Sequence, residues 1–299
     1  MSGVMGTGSV SAVSDVPVDV NPGRAARTGG RRLPTSVLVG AAIVGLMALA
    51  AVLAPWIAPH DPNALDFSAQ LRPPSWSNWM GTDENGRDVF SRVLFGFRLD
   101  LAVVALITYL PLPVGLLLGA VAGYFGGWTE TIIARIGDVM LSFPFMVLVI
   151  AIVGLVGPGL KGVMVGVLVV SWAFYARLAR ADMLVIKELP YMEACTVLGY
   201  SAPRAIFRHA IPNLVRNCFV FSTIDVMGNL LLLASVSYIG LGVQPPTAEL
   251  GTIIAGGQPF LLNGWWVATL PGLFLVLFGV GLGLIGEGLS DQQHRRSGG

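Results

Sequence analysis

Charge is scarce in this chain. Asp, Glu, Lys and Arg make up 12% of 299 residues, against 54% hydrophobic residues. An ordinary soluble domain carries about 25% charged residues, so this composition cannot cover a soluble globule and the membrane class is favoured. Basic and acidic residues nearly cancel, leaving a net charge of +1. No basic stripe interleaved with aromatics occurs, which excludes a nucleic-acid partner. Cysteine is almost missing: Cys195 and Cys218 stand alone, without the spacing of a disulfide framework or a zinc site. His60, His209 and His294 are scattered singly and read as surface or loop residues. Catalytic signatures are missing too. No Gly-x-x-x-x-Gly-Lys-Ser/Thr phosphate loop, no His-Glu-x-x-His and no Gly-x-Ser-x-Gly occurs. If nucleotide energy is used, a separate subunit must supply it.

What is present is a series of long apolar runs. Residues 1–33 form a basic tail without apolar periodicity, expected to be disordered and cytoplasmic. Arg24, Arg27, Arg31 and Arg32 precede an uncharged run from Leu33 to about Ala54. That run has the length of a membrane span, and an uncleaved first span is expected rather than a signal peptide. Residues 34–98 thus comprise the first span and a Pro- and Trp-rich extracytoplasmic loop. Residues 99–291 hold five further spans, read at about Leu99–Phe125, Thr131–Val156, Gly162–Ala176 and Leu214–Ile239, with the sixth of the chain following the interface anchors Trp265-Trp266 and running to about Ile285. Residues 292–299 are a second cytoplasmic tail. The fold class is all-α, a polytopic membrane protein with six transmembrane helices.

Six spans place both termini on one side, and Lys and Arg decide which. With the N-terminus inside, the inner segments hold Arg24, Arg27, Arg31, Arg32, Arg135, Arg177, Arg180, Lys187, Arg204, Arg208, Arg216, Arg295 and Arg296. The outer segments hold only Arg72, Arg87, Arg92, Arg98 and Lys161. Both termini are therefore cytoplasmic.

This topology puts a polar-studded stretch, about residues 185–213, on the cytoplasmic side between two spans. Pro190 suits the first position of a helix and Gly199 the left-handed residue past its end. Tyr191, Ala194, Cys195 and Leu198 fall on one predicted apolar face. Ser201 is placed to cap a second helix that Pro212 would end. Its predicted apolar side is Ile206, Phe207, Ala210 and Ile211, with Arg204 and Arg208 on a polar one. Such a loop offers a grip to something in the aqueous phase. Among ionisable residues inside spans, Asp225 stands in the middle of the fifth. It is read either as facing a translocation path or as hydrogen-bonded to Asn229 one turn on. Arg135 and Asp138 are expected to pair with each other.

Glu193-Ala194-Cys195, Gly199 and Ile211-Pro212-Asn213 together resemble the "EAA" loop of permease subunits of bacterial ABC importers, with Cys195 in place of the second Ala. Further stretches narrow the likeness to the second permease of dipeptide and oligopeptide importers. They are Gly81-Thr82-Asp83-Glu84-Asn85-Gly86-Arg87-Asp88-Val89, Gly123-Tyr124-Phe125-Gly126-Gly127-Trp128 and Gly240-Leu241-Gly242-Val243-Gln244-Pro245-Pro246. The likeness covers about residues 34–291. It departs at Leu233, Leu250 and Gly283, where relatives usually carry Glu, Trp and Asn.

The resemblance implies a type I importer fold in a bacterial cell membrane and a permease that is not itself an enzyme. It implies four partners besides the lipid bilayer: a second, related permease, two ATPase subunits and an extracytoplasmic substrate-binding protein. It implies no cofactor on this chain, with ATP and Mg held by the ATPase subunits. The coupling residues would be Glu193, Ala194, Gly199, Arg204, Ile206, Phe207, Arg208, Ala210 and Pro212. Ile206, Phe207 and Ala210 are the expected ATPase-facing side. Asp225 and Asn229 are candidates for the pathway or for helix packing. Asp83, Gly86, Arg87 and Asp88 are candidates for outer-loop structure or partner contact. The competing reading is a stand-alone secondary transporter or channel, for which Asp225 would have to supply the coupling-ion site.

Overall fold

The computed structural model describes residues 35–297. The basic tail expected over residues 1–33 lies outside them, as do residues 298–299 and the side chains beyond Gly288, including Arg295 and Arg296. The helices in chain order are α1 (Thr35–Val52), α2 (Ala54–Ile57), α3 (Val89–Tyr109), α4 (Pro111–Phe125), α5 (Gly127–Leu141) and α6 (Phe145–Val156). They continue as α7 (Leu160–Ile186), α8 (Pro190–Val197), α9 (Ala202–Arg204), α10 (Ile211–Tyr238), α11 (Leu250–Gly257) and α12 (Trp266–Ser297). A wider π turn, Ala205–Ala210, joins α9 to α10. Among the described residues the β-type pairing is a single bridge between Thr82 and Asp88.

Five helical stretches are long and apolar enough to cross a bilayer: Thr35–Val52, Val89–Phe125, Leu160–Ile186, Ala202–Tyr238 and Trp266–Gly288. The pair α5–α6 makes a sixth if its two halves count as one span, and these are bent by 86°. The all-α, six-span expectation therefore stands, with three changes. The second span starts at Val89 rather than Leu99. Asp88 caps it, accepting from the Ser91 backbone N–H at 2.8 Å, and Val89, Val93, Leu94 and Phe97 already form a buried face. The third span is broken where one run was expected. Pro144 lacks the N–H that would continue the ladder and disfavours a helical residue before it, so α5 stops at Leu141 and α6 restarts at Phe145. The last helix runs on to Ser297 instead of giving way to a tail.

Two apolar clusters divide the molecule. One joins α3, α10, α11 and α12 and centres on Phe97, whose ring meets Phe274 at 5.0 Å and Phe278 at 4.8 Å between centroids. The other gathers Leu116, Tyr175, Ala179 and Met183 from α4 and α7 with Met192, Cys195, Ile206, Ala210, Leu214 and Cys218. This second cluster is the floor on which the cytoplasmic loop rests.

α4 and α7 approach closely because Gly115, Gly119 and Gly123 line one side of α4. A methyl group at Gly119 would meet the Ala176 carbonyl oxygen and, at 2.8 Å, the Ala179 Cβ. One at Gly123 would meet the Met183 Cβ at 2.7 Å. Small residues at every fourth position are how membrane helices bring their backbones together. Gly119→Ala is therefore expected to destabilise the purified protein by about 1–3 kcal/mol through overpacking. Gly228→Ala on α10, where an added methyl meets open space, should be neutral or slightly stabilising. Paired thermal melts in one detergent decide this, and equal melting of the two variants would refute it.

Candidate functional site: the cytoplasmic loop and a mid-membrane carboxylate

The cytoplasmic loop is built from short rigid pieces. Pro190 occupies the first turn of α8, where a missing N–H is harmless. Gly199 follows α8 with φ +70° and has nothing within 4 Å of its missing Cβ, so only backbone conformation demands glycine there. Tyr200 stacks on His209 at 5.7 Å, and the Arg204 guanidinium lies 5.4 Å from the Tyr200 ring centre. Asn213 donates to the Tyr191 hydroxyl at 3.1 Å and to the His209 carbonyl at 3.1 Å.

The inward and outward faces differ from those read off the periodicity. On α8 the buried residues are Met192 and Cys195, whereas Ala194 and Leu198 are exposed. In the second half Ile206 and Ala210 are 3% and 0% exposed. They pack into the chain's own cytoplasmic cluster and are not available to a partner, which corrects the expected ATPase-facing side. Phe207 alone of that trio is outward, at 59% exposure, in company with Val197 at 87% and Leu198 at 67%. Glu193, Arg204, Arg208 and Pro212 are also exposed. Pro212 does not end a helix. The chain passes through the π turn straight into α10, so Ala202–Tyr238 is one continuous helical stretch. Widening one turn accommodates a proline ring and its missing donor without breaking the rod.

Higher on α10, Asp225 joins a polar network across three helices. The Tyr175 hydroxyl of α7 donates to Asp225 Oδ2 at 2.7 Å. Asn229 Nδ2 donates to the same oxygen at 3.1 Å and to Thr108 Oγ1 of α3 at 2.9 Å. The Asn229 bond read from the sequence forms, and Asp225 stays only half-buried. Near the cytoplasmic end of α7 two ion pairs tie α5 down: Arg177 to Asp138 at 2.8 Å and Arg180 to Glu130. Asp138 is therefore claimed by Arg177, not by Arg135. Helix spacing allowed the local pair, but the antiparallel neighbour supplied a better-placed cation.

The outer loop is knotted around buried charge. Asp83 Oδ1 accepts from the backbone N–H groups of Asn85 and Arg87 at 2.9 Å each. Its Oδ2 pairs with Arg87 Nε at 2.7 Å and lies 3.6 Å from Arg92 Nε. Asp88, besides capping α3, accepts from Asn78 Nδ2 at 2.9 Å. Gly86 has φ +72°, and any side chain there would overlap the Asp66 carbonyl. Trp266 Nε1 donates to the Thr82 carbonyl at 3.1 Å, which fixes the loop to the start of α12. Asp83, Gly86, Arg87 and Asp88 thus come together in one structural knot.

Sequence reasoning missed a second pair of buried acids. Asp100 lies on α3 with no exposure, and Glu249 caps α11. Glu249 accepts from the Gly251 and Thr252 backbone N–H groups at 2.9 and 2.8 Å and from the Thr252 hydroxyl at 2.9 Å. Burial pushes its carboxyl above the ordinary range, opposed by those three donors. Asp100 Oδ2 accepts from the Leu250 N–H at 3.3 Å. A lone acid twelve residues into a helix that starts at Val89 would have signalled this, had the span not been started at Leu99.

A bundle of membrane-crossing helices, carrying a rigid cytoplasmic loop and a carboxylate at mid-depth, defines a multi-pass membrane protein. Comparison with known proteins is specific. Residues 115–298 match the model of the binding-protein-dependent transport system inner membrane component. Residues 35–74 match the N-terminal transmembrane domain of oligopeptide transport permease C. The chain belongs to this inner-membrane permease family. It is 38% identical to the probable D,D-dipeptide transport system permease protein of Escherichia coli K12 over 94% of this chain and 96% of that protein. It is 35% identical to a dipeptide transport system permease protein of Haemophilus influenzae over 85% and 88% of the respective chains. It is 36% identical to a glutathione transport system permease protein of Pectobacterium atrosepticum over 87% of each chain.

The outer knot yields a direct test. Asp83→Asn removes the carboxylate that faces two largely buried guanidinium groups, and breaking a buried pair costs about 3–5 kcal/mol. The variant is expected to insert normally but to expose residues 60–88 to protease added from outside. Protection equal to that of the parent chain would refute the structural role.

Proposed function

We propose that this chain is one of the two permeases of an ATP-driven peptide importer and forms half of its translocation pathway. The names of its relatives support small peptides as cargo, dipeptides and glutathione among them. The observation that carries the coupling role is the exposure of three large apolar side chains on the cytoplasmic loop, Val197, Leu198 and Phe207, together with the exposed Glu193, Arg204 and Arg208. Exposed apolar side chains in company with charged ones are the make-up of a protein–protein contact. A short helix presenting such a face suits a groove on a partner.

Membership of the permease family supports an ATPase subunit as that partner, with ATP and Mg held there. Closure of two ATPase subunits would draw the loops of both permeases together. Ile206 and Ala210 serve this role from the inside: buried in one cluster with Met183 and Leu214, they would make the loop move with the helices beneath it rather than swing free. An extracytoplasmic binding protein would deliver cargo to the outer mouth.

Three variants test the coupling. Phe207→Asp should lower transport by about thirtyfold, the loss of one contact worth about 2 kcal/mol. Glu193→Lys and Gly199→Val should abolish it, the latter because a β-branched residue strains at φ +70°. In each case the chain should still reach the membrane, while co-purification of the ATPase subunits falls. Full uptake by these variants would refute the coupling role, and a parent chain that transports with no ATPase subunit would favour a free-standing carrier.

A further inference from the structure

The polar network at mid-membrane is lopsided. Both hydrogen bonds to Asp225 land on Oδ2. Oδ1 accepts from no described residue. It is not sealed inside either, since among the described residues the buried side-chain atoms without a partner are Arg92 Nε and Asp100 Oδ1. The donors, a tyrosine hydroxyl and an asparagine amide, are neutral, and among the described residues no cation pairs with this carboxylate. One oxygen of a charged group, halfway along a 28-residue helix, is thus anchored by its twin and turned outward. Lipid is an unfavourable neighbour for it, because a carboxylate at mid-bilayer is costly unless it meets water or a cation.

The surroundings narrow the cation. Tyr109, part-exposed on α3, stacks on Phe219 of α10 at 6.2 Å, and Tyr175 meets Phe221 edge-on at 5.6 Å. Thr108, next to Tyr109, holds Asn229, which in turn holds Asp225. A single open carboxylate oxygen suits a compact organic ammonium, which it can hold through one charge-assisted hydrogen bond. A metal ion would need several ligands, and among the described residues no group of three His, Cys, Asp or Glu side chains is assembled.

We propose that Asp225 Oδ1 receives the N-terminal ammonium group of the peptide as it passes the membrane midplane. The proposal rests on the reading of this chain as a peptide permease. Tyr175 and Asn229 act as positioning residues: by occupying Oδ2 they fix the carboxylate plane so that Oδ1 points outward.

The test uses the complete transporter in proteoliposomes, with both permeases, the ATPase subunits and the binding protein. The variants are Asp225→Asn, which keeps the oxygen that accepts from Tyr175 but removes the charge, and Asp225→Glu, which keeps the charge. The probes are dialanine and N-acetyl-dialanine. Because the binding protein selects cargo on its own account, a photoreactive dipeptide, free and N-acetylated, is also cross-linked to the transporter without it. Asp225→Asn is expected to lower uptake and cross-linking of the free-amine form about tenfold to a hundredfold, the range of a lost charge-assisted hydrogen bond. Labelling by the acetylated form should stay unchanged, and Asp225→Glu should restore part of the difference. An equal loss for both forms, or no loss, overturns the proposal in favour of a packing role. Loss of the second permease on purification also overturns it, assigning the charge to a basic group of that partner. A parent transporter that imports neither form refutes the peptide reading itself, a result visible before any variant is made.

Discussion

Inside a bilayer, two helices gain little by hiding leucines from each other, since lipid tails are equally apolar. Close backbone approach supplies the attraction instead. α4 and α7 meet in this way along Gly115, Gly119 and Gly123, and much of the cytoplasmic half depends on that contact. Pressed against α4, α7 places Tyr175 beside Asp225 and sets Ala179 and Met183 under the cytoplasmic loop. Arg177 and Arg180 on the same helix hold α5 by its acids. A methyl group in the α4–α7 seam would disturb loop floor and mid-membrane network together, because both are read from one helix face.

The loop gains rigidity from the same source. A free cytoplasmic segment would absorb a partner's push by bending. Here the buried side of α8 and of the π turn is locked into the α4–α7 floor, and the turn runs without a break into α10. Pro212 is the device that makes this junction unusual. It removes one donor at the place where the helix widens, so the chain changes direction of packing without ending. In the proposed coupling role, the residues that face inward would carry motion, and the residues that face outward would meet the partner. Periodicity assigned these two duties to one face.

That division shows what the sequence could and could not disclose. Punctuation was legible: Pro190, Gly199 and the six apolar runs produced helices and turns close to the expected places, since each acts through its own backbone geometry. Burial was not. Ile206 and Phe207 are adjacent and both apolar, and only the position of α7 decides which is covered. Helical periodicity reports that a face exists, not which of two neighbouring faces meets the core. The same limit explains Asp138, whose partner came from another helix, and the break at Pro144. A proline in a span signals either a mild kink or a full stop, and tertiary packing selects between them.

The three membrane-side acids show how environment assigns different work to one chemistry. Glu249 is spent locally, since its carboxylate closes the N-terminus of α11 and satisfies donors that would otherwise be orphaned. Asp100 lies beneath it, fully buried, holding the first N–H of the same helix. Both look inward and fix α11 against α3. Asp225 has neutral donors on one side and an open oxygen on the other. A carboxylate needed only for packing could have been an asparagine, which makes the same two bonds without the desolvation cost of a charge. Retaining a charge at mid-membrane, half satisfied and turned outward, makes physical sense where a cation arrives from outside the fold.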